Sequence, residues 1–184
     1  EQSVGPMHQD EIFDEKALPH RHIAFSTCFR REAGSYGKDT RGILRVHQFD
    51  KAEMFVFSTP EASRDEHQLL LGIEEKFMSL LGLPYRVVQI CTGDLGDPAA
   101  AKYDIEAWLP GQNKGKGEYR ETHSTSNTTD FQARRLNIKY KPATNNQPKK
   151  LEVGGSKLED GGSKLEVASA EPCDKCVSCQ ELML

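Results

Sequence analysis

No stretch of this chain approaches the roughly 18 consecutive apolar residues that a membrane-spanning helix requires. The first ten residues, Glu1 to Asp10, are polar and hold no apolar signal-peptide core. They also lack an initiator methionine, so the chain reads as the middle of something longer. Basic residues are not in excess: 24 Lys and Arg stand against 28 Asp and Glu, a formal net charge of -4. A strong basic field for nucleic acid is therefore missing, although that balance still allows a small contact patch. Cysteine is scarce, with five in 184 residues, and forms no secreted disulfide framework. The cytoplasm is the expected compartment, with no membrane partner. Cys28 and Cys91 sit in apolar, strand-like runs and read as buried free thiols. What remains is an ordinary globular composition, 28% charged and 36% hydrophobic, long enough for one domain with a real core and a tail.

Alternation predicts strands over 21–31 and 43–58, antiparallel and joined by a glycine-rich connection, 33–42, too long for a two-residue turn. Leu69, Ile73, Phe77 and Leu80/Leu81 recur at helical spacing, so 60–81 reads as a helix with one apolar stripe. Gly82 and Pro84 end it. Further strands are expected over 85–92, 103–109 and 119–124, with Tyr85, Val87 and Cys91 on one side of the first. Several strands around one long helix suggest an α+β fold, an antiparallel sheet with helices on one face. After Pro142 the composition changes. Lys-Leu-Glu-x-Gly-Gly-Ser units repeat every seven residues from Lys150, each with one or two apolar residues and a Gly-Gly break. Such units cannot keep a helical seam, and 142–170 reads as a flexible linker. The end, 171–184, carries Cys173, Cys176 and Cys179. Three thiolates without a nearby histidine fall one ligand short of a tetrahedral zinc site, so an end without metal is expected.

Three clusters offer chemistry. In a strand, Arg30 and Glu32 would share a face beside the glycine-rich loop, where a guanidinium suits phosphate and a carboxylate can accept from an amine. An exposed ion pair on a sheet is the competing reading. Arg45, His47 and Phe49 would share a face of the return strand, an aromatic beside cations that can stack a purine. Here the competing reading is a core phenylalanine with a satisfied polar neighbour. The run Glu118 to Asn127 is too polar to have both faces buried. Glu121 and Ser124 in it are hard oxygen ligands of the kind magnesium uses with a nucleotide; a polar edge strand is the alternative.

The segment from Thr27 through Cys-Phe-Arg-Arg-Glu-Ala-Gly-Ser-Tyr-Gly-Lys-Asp-Thr-Arg-Gly-Ile-Leu-Arg-Val-His-Gln-Phe-Asp-Lys-Ala to Glu53 closely resembles motif 2 of seryl-tRNA synthetases. Cys91-Thr-Gly-Asp-Leu-Gly, Tyr103-Asp-Ile-Glu-Ala-Trp-Leu-Pro and the run from Tyr119 to Arg135 resemble later segments of the same family, in the same order. The likeness covers about residues 1–141. It implies a class II synthetase-like antiparallel sheet flanked by helices, incomplete, with a flexible C-terminal tail. It implies ATP and L-serine as substrates, seryl-adenylate as intermediate and tRNA(Ser) as acceptor, with magnesium as the metal. By position, Arg30 would be the catalytic arginine, holding the α-phosphate and the serine carboxylate. Glu32 would contact the adenine amino group, and Val46 and Phe49 would pack the ring. Glu121, Thr122, His123 and Ser124 would complete the ATP site, Glu121 and Ser124 holding magnesium. Glu1 and Glu53 would bind serine with Arg30. The family's dimer-forming motif 1 and tRNA-binding arm would precede residue 1, and its motif 3 would follow Tyr140 but is not in this sequence. A homodimer is therefore doubtful, and the chain alone is expected to be inactive. The competing readings are a non-catalytic synthetase-like binding or regulatory module, or an amino acid:carrier-protein ligase.

Overall fold

Residues 3–31 and 44–143, and the backbone of 149–150 and 182–183, are described by the computed structural model. Two 3-10 turns, Gly5–His8 and Glu15–Ala17, flank strand β1 (Ile12–Asp14). β2 (His20–Phe29) and β3 (Gln48–Phe57) then form the antiparallel hairpin, from His20↔Phe57 at its base to Phe29↔Gln48 at its tip. Both strands are shorter than their alternation suggests. The Arg30 N–H still reaches the His47 carbonyl at 2.8 Å. Beyond that bond the ladder stops among the described residues. Residues 44–47 thus lie outside the strand, and the expected face shared by Arg45, His47 and Phe49 is not formed as a strand face.

Inward residues of the hairpin, Phe55 and Phe57 with half-buried Ala24, pack on Val4, Phe13, Ala133, Ile138 and Tyr140. The last three come from the segment holding α3 (Phe131–Arg135) and β7 (Lys139–Lys141), and β7 pairs parallel with β1. A two-residue strand β8 (Lys149–Lys150) continues that sheet.

The long helix α1 spans Ser63–Leu81. Gly82 caps it at φ +66, a left-handed conformation that glycine adopts without a Cβ penalty, and its N–H returns to Ser79 O. The buried face, however, is not the expected stripe. His67, Leu71, Glu74 and Met78 are buried, whereas Leu69, Ile73, Phe77, Leu80 and Leu81 are exposed, from 42% to 76%. The sheet below explains the choice: Val87, Ile105 and Ala107 form one apolar cluster with Leu71 and Met78, so burial follows the helix face that meets them.

That sheet runs β6 (Glu118–Asn127), β5 (Ala101–Leu109), β4 (Tyr85–Gln89), every pair antiparallel, with the short β9 (Leu182–Met183) at the edge of β4. A one-turn helix α2 (Gln112–Gly115) joins β5 to β6. Gly117 follows at φ +82, and the Trp108 ring occupies the space that a Cβ there would need. Cys91 lies past the end of β4 and Cys28 within β2; both are thiols outside any disulfide and half-buried rather than buried.

Candidate functional site

β5 divides its chemistry by face. Tyr103, Ile105 and Ala107 turn towards α1, and Lys102, Asp104, Glu106 and Trp108 alternate with them on the other side. On β6 a register shift opposite Ile105/Glu106 pairs Glu106 with Glu121 and Ile105 with His123, leaving Thr122 as the extra residue. This bulge matters, because residues 121 and 124 of a regular strand would point to opposite faces. Here Glu121 lies opposite Glu106 and Ser124 opposite Asp104, so both share the charged face. The Thr122 hydroxyl donates to the Ile105 carbonyl at 3.1 Å.

An open cleft of about 590 Å³ lies between this face and the hairpin tip, lined by Arg30, Leu44, Arg45, Glu106, Tyr119, Arg120, Glu121 and Thr122. Such a volume suits a nucleotide-sized ligand. The Arg30 guanidinium stands over the Phe49 ring at 4.5 Å, and His47 Nδ1–H donates to the Arg30 carbonyl at 3.1 Å. The ring contact orients the guanidinium, which lies flat on the aromatic face with its N–H groups directed along the edge. On the opposite wall Arg86 Nε donates to Glu106 Oε2 at 2.6 Å and its guanidinium covers Tyr119 at 4.4 Å. Tyr119 in turn meets Trp108 edge-on at 5.0 Å.

Carboxylates exceed cations on this face. Partial burial pushes the Glu121 carboxyl up, and the charges of Asp104 and Glu106 add to it, while Lys102 and Arg30 oppose. Lys102 Nζ lies 2.9 Å from Asp104 Oδ1. Glu53 shares the inward hairpin face with Phe49, and Lys51 Nζ is 2.5 Å from its Oε2. Glu74 of α1 is buried nearby, its carboxyl pushed up to about 7 by burial and by the charges of Asp104 and Glu53.

The structure therefore brings Arg30, Glu121 and Thr122 to one cleft, with Phe49 beneath Arg30 and Ser124 on the sheet face that holds Glu121. Val46 is half-buried and lies outside any strand. His123 departs from the expectation: the bulge turns it to the helix side, where its ring meets Phe77 at 6.0 Å and burial lowers its pKa. Glu1 and Glu32 lie outside the described residues, as do most of the Lys-Leu-Glu repeats and the three tail cysteines. Sequence reasoning passed over Lys102, Asp104, Glu106 and Arg86. Their signal was present, an alternation of charged residues along an otherwise apolar strand.

A family profile described as "tRNA synthetase class II core domain (G, H, P, S and T)" matches residues 1–154. The chain is 60% identical over 134 residues to a serine--tRNA ligase of Thermobifida fusca, covering 73% of this chain and 31% of that protein. It is 55% identical over 149 residues to the serine--tRNA ligase of Pyrococcus furiosus, covering 81% and 32%. Among solved structures, seryl-tRNA synthetase from Pyrococcus horikoshii complexed with ATP superposes with a TM-score of 0.75 at 51% identity, covering 82% of this chain and 33% of that one. Cytoplasmic serine-tRNA ligase from Naegleria fowleri in complex with AMP gives 0.76 at 44%, covering 83% and 36%. The chain spans about a third of the length of these relatives. Its antiparallel sheet, its β2–β3 hairpin and the profile match over most of its length agree: the chain belongs to the class II tRNA synthetase core family.

Proposed function

We propose that this chain carries the amino acid-activating part of a serine–tRNA ligase. The proposed reaction joins L-serine to ATP and leads, in a longer protein, to serine on tRNA(Ser). A serine carboxylate oxygen would attack the α-phosphorus, forming the mixed anhydride as the bond to pyrophosphate breaks. Little covalent chemistry is asked of the protein beyond holding the reactants in line and meeting the charge that gathers on phosphate.

Arg30 is suited to that charge. It is seated on Phe49 and faces Glu121 across the cleft. In this reading it holds the α-phosphate and the serine carboxylate, and Phe49 stacks the adenine. Glu53, on the same hairpin face, accepts from the serine ammonium or hydroxyl. The donor set of Glu121 and Ser124 fits magnesium, being hard oxygens on one face where carboxylates outnumber cations. A magnesium ion there would supply charge neutralisation for the phosphates. We assign the catalytic core to about residues 1–141 and read the rest as linker and tail.

The observation carrying this reading is the joint position of Arg30 over Phe49 and of Glu121 across the same cleft. Calorimetric titration with ATP and magnesium tests it. Arg30→Ala is expected to weaken binding by about 2 kcal/mol, roughly 30-fold, because a charge-assisted contact is lost. Affinity within twofold of the parent would remove Arg30 from the nucleotide site.

A further inference from the structure

Three imidazoles gather at the base of the hairpin, away from the cleft. His20 and His22 alternate on β2 and so share its inward face, and His8 ends the 3-10 turn beside them. One ring nitrogen from each lies within 4.8 Å of the others, and His8 Nε2 stands 3.0 Å from His22 Nε2. The rings are half-buried on the aromatic floor of Phe13 and Phe57. Arg30, at the other end of the strand, is ten residues from His20, roughly 33 Å of extended chain.

We propose that His8, His20 and His22 form a site for a divalent transition-metal ion of the zinc class, with a fourth position open to water. Imidazole nitrogen suits zinc, copper or nickel rather than magnesium or calcium, so this site differs in kind from the oxygen-lined cleft. Bonds of 2.0–2.1 Å at tetrahedral angles put ligand nitrogens roughly 3.3 Å apart. The observed spacing, 3.0 Å for one pair and within 4.8 Å for all three, lies about that figure.

A second observation points the same way. His8 Nδ1–H donates to Glu11 Oε2 at 2.6 Å. This contact sets the tautomer, leaving the Nε2 lone pair directed at the cluster, as carboxylates commonly do behind metal-bound histidines. The bound ion would clip the N-terminal turn to the hairpin. On this face Glu53, paired with Ala24, lies one rung beyond the Phe55↔His22 pair, so the clip would steady the strand that carries it.

Cobalt(II) is a spectroscopic probe for such a site. The 184-residue chain is taken with Cys173, Cys176 and Cys179 replaced by serine, so that thiolates cannot compete. One equivalent of cobalt should bind, with tetrahedral ligand-field bands and no thiolate charge-transfer band. His20→Gln and His22→Gln should each weaken binding about 100-fold, and Glu11→Gln about 10-fold, with circular dichroism unchanged. Zinc should raise the thermal midpoint of the parent and not that of His20→Gln. Absence of saturable binding, or cobalt affinity indifferent to His20→Gln and His22→Gln, would overturn the proposal. Should either histidine variant lose its fold, Glu11→Gln decides: it alters an exposed carboxylate, and unchanged affinity there would also contradict the site.

Discussion

Glu74 shows most directly what burial does to a single residue here. It lies on the buried face of α1 with its carboxyl pushed up to about 7, first by loss of solvent and then by Asp104 and Glu53. A carboxyl whose folded value exceeds its unfolded value binds its proton more tightly in the fold. Folding is then unhindered while the group is protonated in both states. The penalty grows as pH rises from about 4.5, its ordinary value, to about 7, and is constant above. The size is on the order of 3 kcal/mol. Glu74→Gln keeps the shape and removes the titration. It should raise unfolding free energy at pH 8 by ~1–3 kcal/mol and change it little at pH 4. Denaturant titrations at the two pH values check this; an equal effect at both, or destabilisation at pH 8, would contradict it.

At the scale of elements, α1 separates what the sequence makes plain from what it hides. Its span, its glycine cap and its amphipathic character follow from local pattern. Which stripe is buried does not, because the helix carries apolar residues on two sides and the decision rests with Val87, Ile105 and Ala107, distant in sequence. A substitution pair tests that assignment. Met78→Ala should cost about 2–4 kcal/mol as a buried truncation, whereas Leu69→Ala should stay within ~0.5–1 kcal/mol. Chemical denaturation reads both, and a reversed order would show that the helix packs through its other face. β6 gives a similar lesson. Polarity marks it as a strand with chemistry, and Glu121 and Ser124 are recognisable as oxygen ligands. Strict alternation would have put them on opposite faces. Only the bulge at Thr122, an outcome of pairing with β5, unites them and sends His123 to the helix. Likewise the two strands of the hairpin are legible from period-two alternation. Where their ladder ends, at Phe29 and Gln48, is not encoded in that alternation.

For the whole molecule, the order of the elements sets two chemistries on the inward face of one hairpin. Near the tip Arg30, seated on Phe49, faces the charged sheet face across the cleft, and the base holds three histidines. Among the described residues no helix is long and apolar enough to cross a membrane. In the proposed reaction the cleft holds serine joined to adenylate. The most direct measurement is calorimetric binding of a sulfamoyl analogue of seryl-adenylate, beside the alanyl analogue, which lacks only the side-chain hydroxyl. If Glu53 reads that hydroxyl, the seryl compound should bind at least ~10-fold more tightly, because the alanyl one leaves a buried polar group unpaired. Glu53→Ala should then erase the preference while the adenosine part still binds. Equal affinity of the parent chain for both compounds, or a preference that survives Glu53→Ala, would contradict the account.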